Sequence, residues 1–132
     1  MKKLNSVLLI DDDPTSCFLT RYIIEEMNVA NQIYTAQSGR EALDLLHANQ
    51  GEPAYTIELI LLDINMPDMD GFEFLEAFET LPYYLNSSVV MLTTSSNHRD
   101  LDKAKTFRVA DYLNKPITEE KLIDIVNKLF VG

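Results

Sequence analysis

The chain has a single cysteine, Cys17, so it can form no intramolecular disulfide, and a lone thiol inside a helix-like stretch reads as a buried side chain rather than a nucleophile. Sparing use of cysteine points to a reducing, cytoplasmic setting. Basic residues are also scarce: 11 Lys and Arg stand against 21 Asp and Glu, a formal net charge of −10. Such a surface repels nucleic acid and anionic membrane, leaving basic or mixed protein surfaces as the expected partners. No apolar run approaches the roughly 20 residues that would cross a bilayer. The opening MKKLNSVLLIDDD meets three aspartates before reaching export-signal length and offers no small-residue cleavage site, so it reads as a strand. Repeats, low-complexity tracts and Gly/Ser-rich linkers are absent, which places residues 1–132 in one domain with no output domain appended. The only histidines, His47 and His98, have no neighbouring ligands and suit neither a metal site nor a phosphodonor.

What is present is an ordinary globular composition, 46% apolar and 24% charged. A chain of this length buries roughly two thirds of the surface its unfolded form exposes, enough for a core without staples. Apolar runs of strand length occur at Val7–Ile10, Gln32–Ala36, Ile57–Leu62 and Val89–Leu92, with a weaker one around Tyr112 and Leu113. The clearest are apolar without alternation, as strands covered on both faces of a parallel sheet must be.

Helix signals lie between the runs. Asp13-Pro14 reads as an N-cap with proline at the first helical position, followed by Leu19, Ile23 and Met27 at four-residue spacing. Ser38 and Glu41 form a capping-box pattern, Asp70-Gly71 opens a segment carrying Phe72, Leu75 and Phe78, and Asn97 caps one carrying Leu101, Ala104 and Phe107. Thr118, with acidic Glu119 and Glu120 behind it, starts a last helix whose stripe is Leu122, Ile125, Val126, Leu129 and Phe130. Strand followed by helix, five times over, gives an α/β fold: an open parallel sheet with helices on both faces. In such sheets ligands bind beyond the carboxyl ends of the strands, near the point where strand order reverses.

The residues expected at that edge are Asp11, Asp12 and Asp13 after the first strand, Asp63 at the end of the third, Thr93 and Thr94 after the fourth, and Lys115-Pro116 after the fifth. Gathered carboxylates repel one another unless protons or a cation offset the charge. Magnesium suits the set, because it takes oxygen ligands and uses few protein carboxylates alongside phosphate oxygens. A lysine and a hydroxyl aimed at the same point supply the charge compensation and hydrogen-bond donor of phosphoryl transfer. Other polar residues have simpler readings. Asp13 is a cap; Asp68, Asp70 and Gly71 form a turn; Tyr83 and Tyr84 cover a sheet edge; Tyr112 packs an edge strand against a helix. A calcium loop starting at Asp63 fails, since Pro67 and Phe74 stand where oxygen ligands are required.

With LLIDDDP, LILLDINMPDMDG, VVMLTTS and DYLNKP in order along nearly its whole length, the chain resembles the response regulator receiver domains of two-component signalling. The resemblance implies a flavodoxin-like, doubly wound five-stranded sheet in strand order 2-1-3-4-5 with five helices. It implies that Asp63 is the phosphoacceptor, and that Asp12, helped by Asp11, holds Mg2+ with Asp63 and the backbone carbonyl of Asn65. Thr93 and Lys115 would contact the phosphoryl group and Tyr112 would be the aromatic switch, while Thr94, standing where the family usually has a smaller residue, departs from the pattern and would narrow access to Asp63. The Lys115-Pro116 bond would be cis. A histidine kinase or histidine phosphotransfer protein would be the donor and a downstream protein would read the surface around the fourth helix, fifth strand and fifth helix. The chain would act as a monomer or as a phosphorylation-dependent dimer, catalysing its own phosphorylation and dephosphorylation.

Two other readings compete. Apolar residues followed by Asp11, Asp13 and Thr15 also resemble haloacid-dehalogenase-type phosphohydrolases, with Asp11 as nucleophile, Asp13 as acid/base, and Thr94 and Lys115 in support. That family needs a further acidic pair after a strand, and only the helical Glu119, Glu120 and Asp124 remain. A pure interaction module would have no reason to keep Asp12, Asp63, Thr93 and Lys115 together.

Overall fold

The computed structural model describes residues 3–48, 57–66, 68–81, 87–94 and 98–130, and the side chains at 98, 99 and 101 lie outside that description. The elements alternate strictly: β1 (Leu4–Ile10), α1 (Pro14–Met27), β2 (Ala30–Ala36), α2 (Gly39–Ala48), β3 (Leu59–Asp63), α3 (Gly71–Phe78), β4 (Ser88–Thr93), α4 (His98–Ala104), β5 (Asp111–Asn114) and α5 (Glu119–Phe130). The strands form one parallel sheet in the order β2-β1-β3-β4-β5, the flavodoxin-like arrangement. Because β1 leads to β2 on one side while β3 lies on its other side, strand order reverses beside β1, and in such sheets the carboxyl ends of β1 and β3 are where ligands bind. Among the described residues no helix is long and apolar enough to cross a membrane.

The strands with unbroken apolar runs, β1, β3 and β4, fill the centre of the sheet, where both faces are covered. Successive side chains point to opposite faces, so each strand feeds two cores. Leu8, Ile10, Ile60, Leu62, Val89 and Met91 meet Ala42, Leu46, Phe74, Leu75, Phe78 and Ala104 from α2, α3 and α4. Val7, Leu9, Leu59, Leu61, Val90 and Leu92 meet Cys17, Ile24, Leu122, Ile125 and Val126 from α1 and α5. Each large side chain so buried contributes about 1.5–3 kcal/mol, which is what fixes register: a one-residue slip would exchange the two cores. The edge strands β2 and β5 carry fewer buried residues, and their weaker apolar signal follows from that.

The capping chemistry is as the sequence dictates. Asp13 accepts a hydrogen bond from the Thr15 amide at 3.1 Å ahead of Pro14. The Glu41 amide donates to Ser38 Oγ and the Gln37 amide to Glu41 Oε2. At α3 the box is reciprocal, Asp70 accepting from the Glu73 amide and Glu73 from the Asp70 amide, and at α5 Thr118 Oγ1 accepts from the Lys121 amide. The expected Asn97 cap, the edge cover by Tyr83 and Tyr84, and Pro67 lie outside the described residues, as does Ser95 beside Thr94.

Two expectations are corrected. Strand limits shift: β1 begins at Leu4, β2 at Ala30, and β3 runs from Leu59 to Asp63, leaving Ile57 buried just ahead of it. More consequentially, α1 does not bury the stripe headed by Leu19. That residue is 52% exposed, beside Phe18 at 68% and Tyr22 at 54%. The buried face is Cys17, Thr20 and Ile24, with Ile23 and Met27 at its margin. The buried face thus carries the small side chains of Cys17 and Thr20 while larger apolar ones stay outside, so steric fit rather than the number of apolar residues sets the phase of this helix.

Candidate functional site

The last residues of β1, β3 and β4 reach the same edge of the sheet in register. Ile10 pairs with Leu62 and Asp63 with Leu92, so Asp11 and Asp12 leave β1 level with the Asp63 side chain, and Thr93 ends β4 one residue farther on. Backbone hydrogen bonds fix this edge: Asp11 N donates to Ala36 O at 3.0 Å, Ile64 N to Leu92 O at 3.1 Å, and Lys115 N to Thr93 O at 2.8 Å. One oxygen each from Asp11, Asp12 and Asp63 can be chosen so that all lie within 4.8 Å of one another. Asp11 and Asp63 are buried, at 3% and 5% exposure, while Asp12 is half-buried at the rim.

Lys115 enters this acidic crevice from the loop after β5. Its Nζ donates to Asp11 Oδ2 at 2.7 Å and lies 3.4 Å from Asp63 Oδ2. Asp11 also accepts from the Asp13 amide, and Asp63 from the Asn65 amide at 3.2 Å. Burial pushes the Asp63 carboxyl from its ordinary 3.8 up to about 6; the Lys115 charge opposes the rise and the Asp11 charge adds to it. Burial acts to lower the Lys115 ammonium, but its hydrogen bond to Asp11 and the charges of Asp11 and Asp63 outweigh that and raise it. The result is a protonated lysine held between two carboxylates.

The donor set fits magnesium. At the 2.0–2.1 Å bond lengths of an octahedral magnesium ion, ligand oxygens stand about 3–4 Å apart, so a trio lying within 4.8 Å of one another needs to close by about 2 Å at most. Asp11, Asp12 and Asp63 could therefore hold a metal ion, with Asp12 offering the open side.

Not every expected residue converges. Thr93 is buried at the edge, but Thr94 is exposed, and Asn65 is exposed with its amide turned to Asp63. Tyr112 is half-buried on the face of α2, α3 and α4, packed against the same core as Phe107 and Val109; burial and the neighbouring Asp111 raise its hydroxyl's pKa. The bond between Lys115 and Pro116 is cis. The hydrolase reading loses its acid/base: Asp13 is exposed and spends an oxygen on capping α1, and Glu119, Glu120 and Asp124 are exposed on α5. Cys17 is buried and its thiol is pushed up by burial and by Asp11, as for an inert core thiol.

Two contributors were not visible in the sequence. Gly71 reads there as a turn residue, yet a methyl group at its Cα would lie 2.9 Å from the Asp63 carbonyl oxygen and 3.0 Å from Ile64 Cα, so only glycine lets the start of α3 lie against the end of β3. Its amide donates to Ile64 O at 2.9 Å, tying the two together. Lys121, unremarkable in an acidic helix start, reaches back to the loop that carries Lys115.

Known proteins resemble this chain over nearly its whole length. The family profile described as response regulator receiver domain matches residues 7–127. A probable methanogenesis regulatory protein, FilR2 of Methanothrix harundinacea, is 30% identical over 123 residues, covering 93% of this chain and 79% of that protein. The signal transduction histidine-protein kinase BarA of Escherichia coli is 31% identical over 121 residues, 92% of this chain but only 12% of the kinase. A two-component response regulator from Cytophaga hutchinsonii superposes with a TM-score of 0.88 at 32% identity, covering 99% of this chain and 100% of that one. The Vibrio cholerae chemotaxis protein CheY4 gives 0.83 at 26% identity over 96% and 99%. With a parallel sheet in the order β2-β1-β3-β4-β5 and its acids and lysine at one edge, the chain belongs to the response regulator receiver domains of two-component signalling, which act as signalling switches.

Proposed function

We propose that Asp63 accepts a phosphoryl group from a phosphohistidine donor, a histidine kinase or histidine phosphotransfer protein, and that the modified domain presents an altered surface to a downstream protein. The observation that carries this reading is the meeting of Asp11, Asp12, Asp63 and Lys115 at the carboxyl edge of the sheet. A carboxylate oxygen of Asp63 attacks phosphorus in line; the new O–P bond forms as the P–N bond breaks, and the departing imidazole keeps the electron pair. Asp11, Asp12, Asp63 and the Asn65 carbonyl are the ligands proposed for Mg2+, which when bound supplies charge compensation to the phosphoryl oxygens. Lys115 turns its ammonium from the carboxylates toward those oxygens, and the Thr93 hydroxyl donates to another. Thr94, exposed at the rim, limits approach of water or a partner to Asp63.

The product is an acyl phosphate whose added charge draws Thr93 and Lys115 inward. Space vacated at the end of β4 lets Tyr112 turn in, and the surface of α4, β5 and α5 changes with it. The same site promotes its own phosphorylation by small donors and its later hydrolysis, in a cytoplasmic domain that is monomeric or dimerises on phosphorylation. Intact-mass measurement after treatment with acetyl phosphate and magnesium tests the reading. One added phosphoryl per chain is expected for the native sequence and none for Asp63→Asn. Uptake that survives the substitution would remove Asp63 from its role.

A further inference from the structure

Lys121 occupies an unfavourable place for a cation. It lies in the first turn of α5, where the helix dipole repels positive charge. Its backbone is fixed there: its amide donates to Thr118 Oγ1 at 3.2 Å, and the next residue, Leu122, donates to Thr118 O and is buried in the core. From that anchor the side chain folds back across the preceding loop. Its Nζ donates to Asn114 O at 2.9 Å and to Pro116 O at 3.1 Å, the carbonyls on either side of Lys115. The Lys115 amide is held in turn by Thr93 O. The backbone carrying Lys115 is thus pinned to β4 through its own amide and to α5 through both flanking carbonyls.

We infer that Lys121 is a positioning residue for Lys115, aiming its ammonium at the Asp11 and Asp63 oxygens. A four-carbon side chain has much rotational freedom, and where its ammonium points depends on how firmly its Cα is held. Two charge-assisted hydrogen bonds at the flanking carbonyls remove freedom from the three residues that set that direction. A residue placed against its local electrostatic preference and compensated by contacts beside the site has the signature of a functional constraint. Lys121 touches neither the carboxylates nor the incoming group; it acts through Lys115.

The rate arm of the test rests on the phosphoryl-acceptor reading of Asp63, and the spectroscopic arm does not. Lys121→Met keeps the aliphatic stem and removes the donors; because the side chain is partly exposed, the two carbonyls can turn to water and the chain should stay folded, which thermal unfolding checks. Labelling by acetyl phosphate with magnesium should slow about tenfold while the final stoichiometry stays at one, and Lys121→Arg should recover much of the loss. In a Lys115→Ala background, Lys121→Met should cause no further slowing, the non-additivity expected when one residue works through the other. Equal slowing in both backgrounds, or none in either, would overturn the inference. If the native chain takes up no phosphoryl at all, the functional reading fails alone, and the 13C signal of the Lys115 ε-methylene, assigned by its disappearance in Lys115→Ala, decides the positioning. It should shift in metal-free Lys121→Met; an unmoved signal would refute the pinning.

Discussion

Asp63 and Asp70 stand at the two ends of one loop, and the same functional group does opposite work at each. Asp63 ends a central strand, is buried beside Asp11 and Lys115, and its carboxyl is pushed up to about 6. Asp70 begins α3 with access to water and spends its oxygen on the Glu73 amide. One acid is held ready at a cost in stability, and the other stabilises the helix that packs under it. A carboxylate's role in this domain is set by its distance from water and by the cations facing it.

The sharpest break of that contrast is a pH series on metal-free protein. The folded Asp63 keeps its proton up to about pH 6, whereas the unfolded chain releases it near its ordinary 3.8, so between those values the folded state binds more protons. This site's contribution is therefore fully favourable below about pH 4, declines as pH rises to about 6, and leaves a deficit of roughly 2–3 kcal/mol at neutral pH. Urea unfolding in the presence of a chelator, native sequence minus Asp63→Asn, should show that slope, with the variant more stable at neutral pH. Parallel curves would place Asp63 in a solvated environment. At the other acid the direction reverses and the size falls: Asp70→Ala should lower stability by about 1 kcal/mol at neutral pH, read as a lower urea midpoint with unchanged m-value. A gain there would show that the cap is not formed.

The smallest effect concerns α1. Leu19→Ser should cost less than about 1 kcal/mol, because about half of the residue is in water, whereas Ile24→Ala should cost about 2–5 kcal/mol. Comparable losses would mean that the helix sits in the phase its apolar spacing suggests.

That helix marks where sequence reading stops working. The stripe of α5, with Leu122, Ile125 and Val126 buried, was legible because its other face is charged and leaves one choice. Around α1 apolar residues occur on two faces, Leu19 and Tyr22 on one and Ile24 with Ile23 on the other, so periodicity alone cannot select between them. The site residues were legible for a different reason: an acid or a lysine directly after an apolar run must emerge at the strand's end. Gly71 and Lys121 were not, since a close approach and a backward reach are relations between segments distant in the chain or across a turn.

Unbroken apolar runs separated by capped helices determined, from the amino-acid order alone, a parallel sheet covered on both faces, and with it an edge where Asp11, Asp12, Asp63, Thr93 and Lys115 emerge. Local propensity and hydrophobic burial suffice for that, because each acts along a single segment. Only the tertiary structure decided that Lys115 sits 2.7 Å from Asp11 and 3.4 Å from Asp63, that Gly71 lies against the end of β3, and that α1 turns Leu19 outward. Those outcomes depend on steric fit and electrostatics between segments, which exist only once the strands are in register.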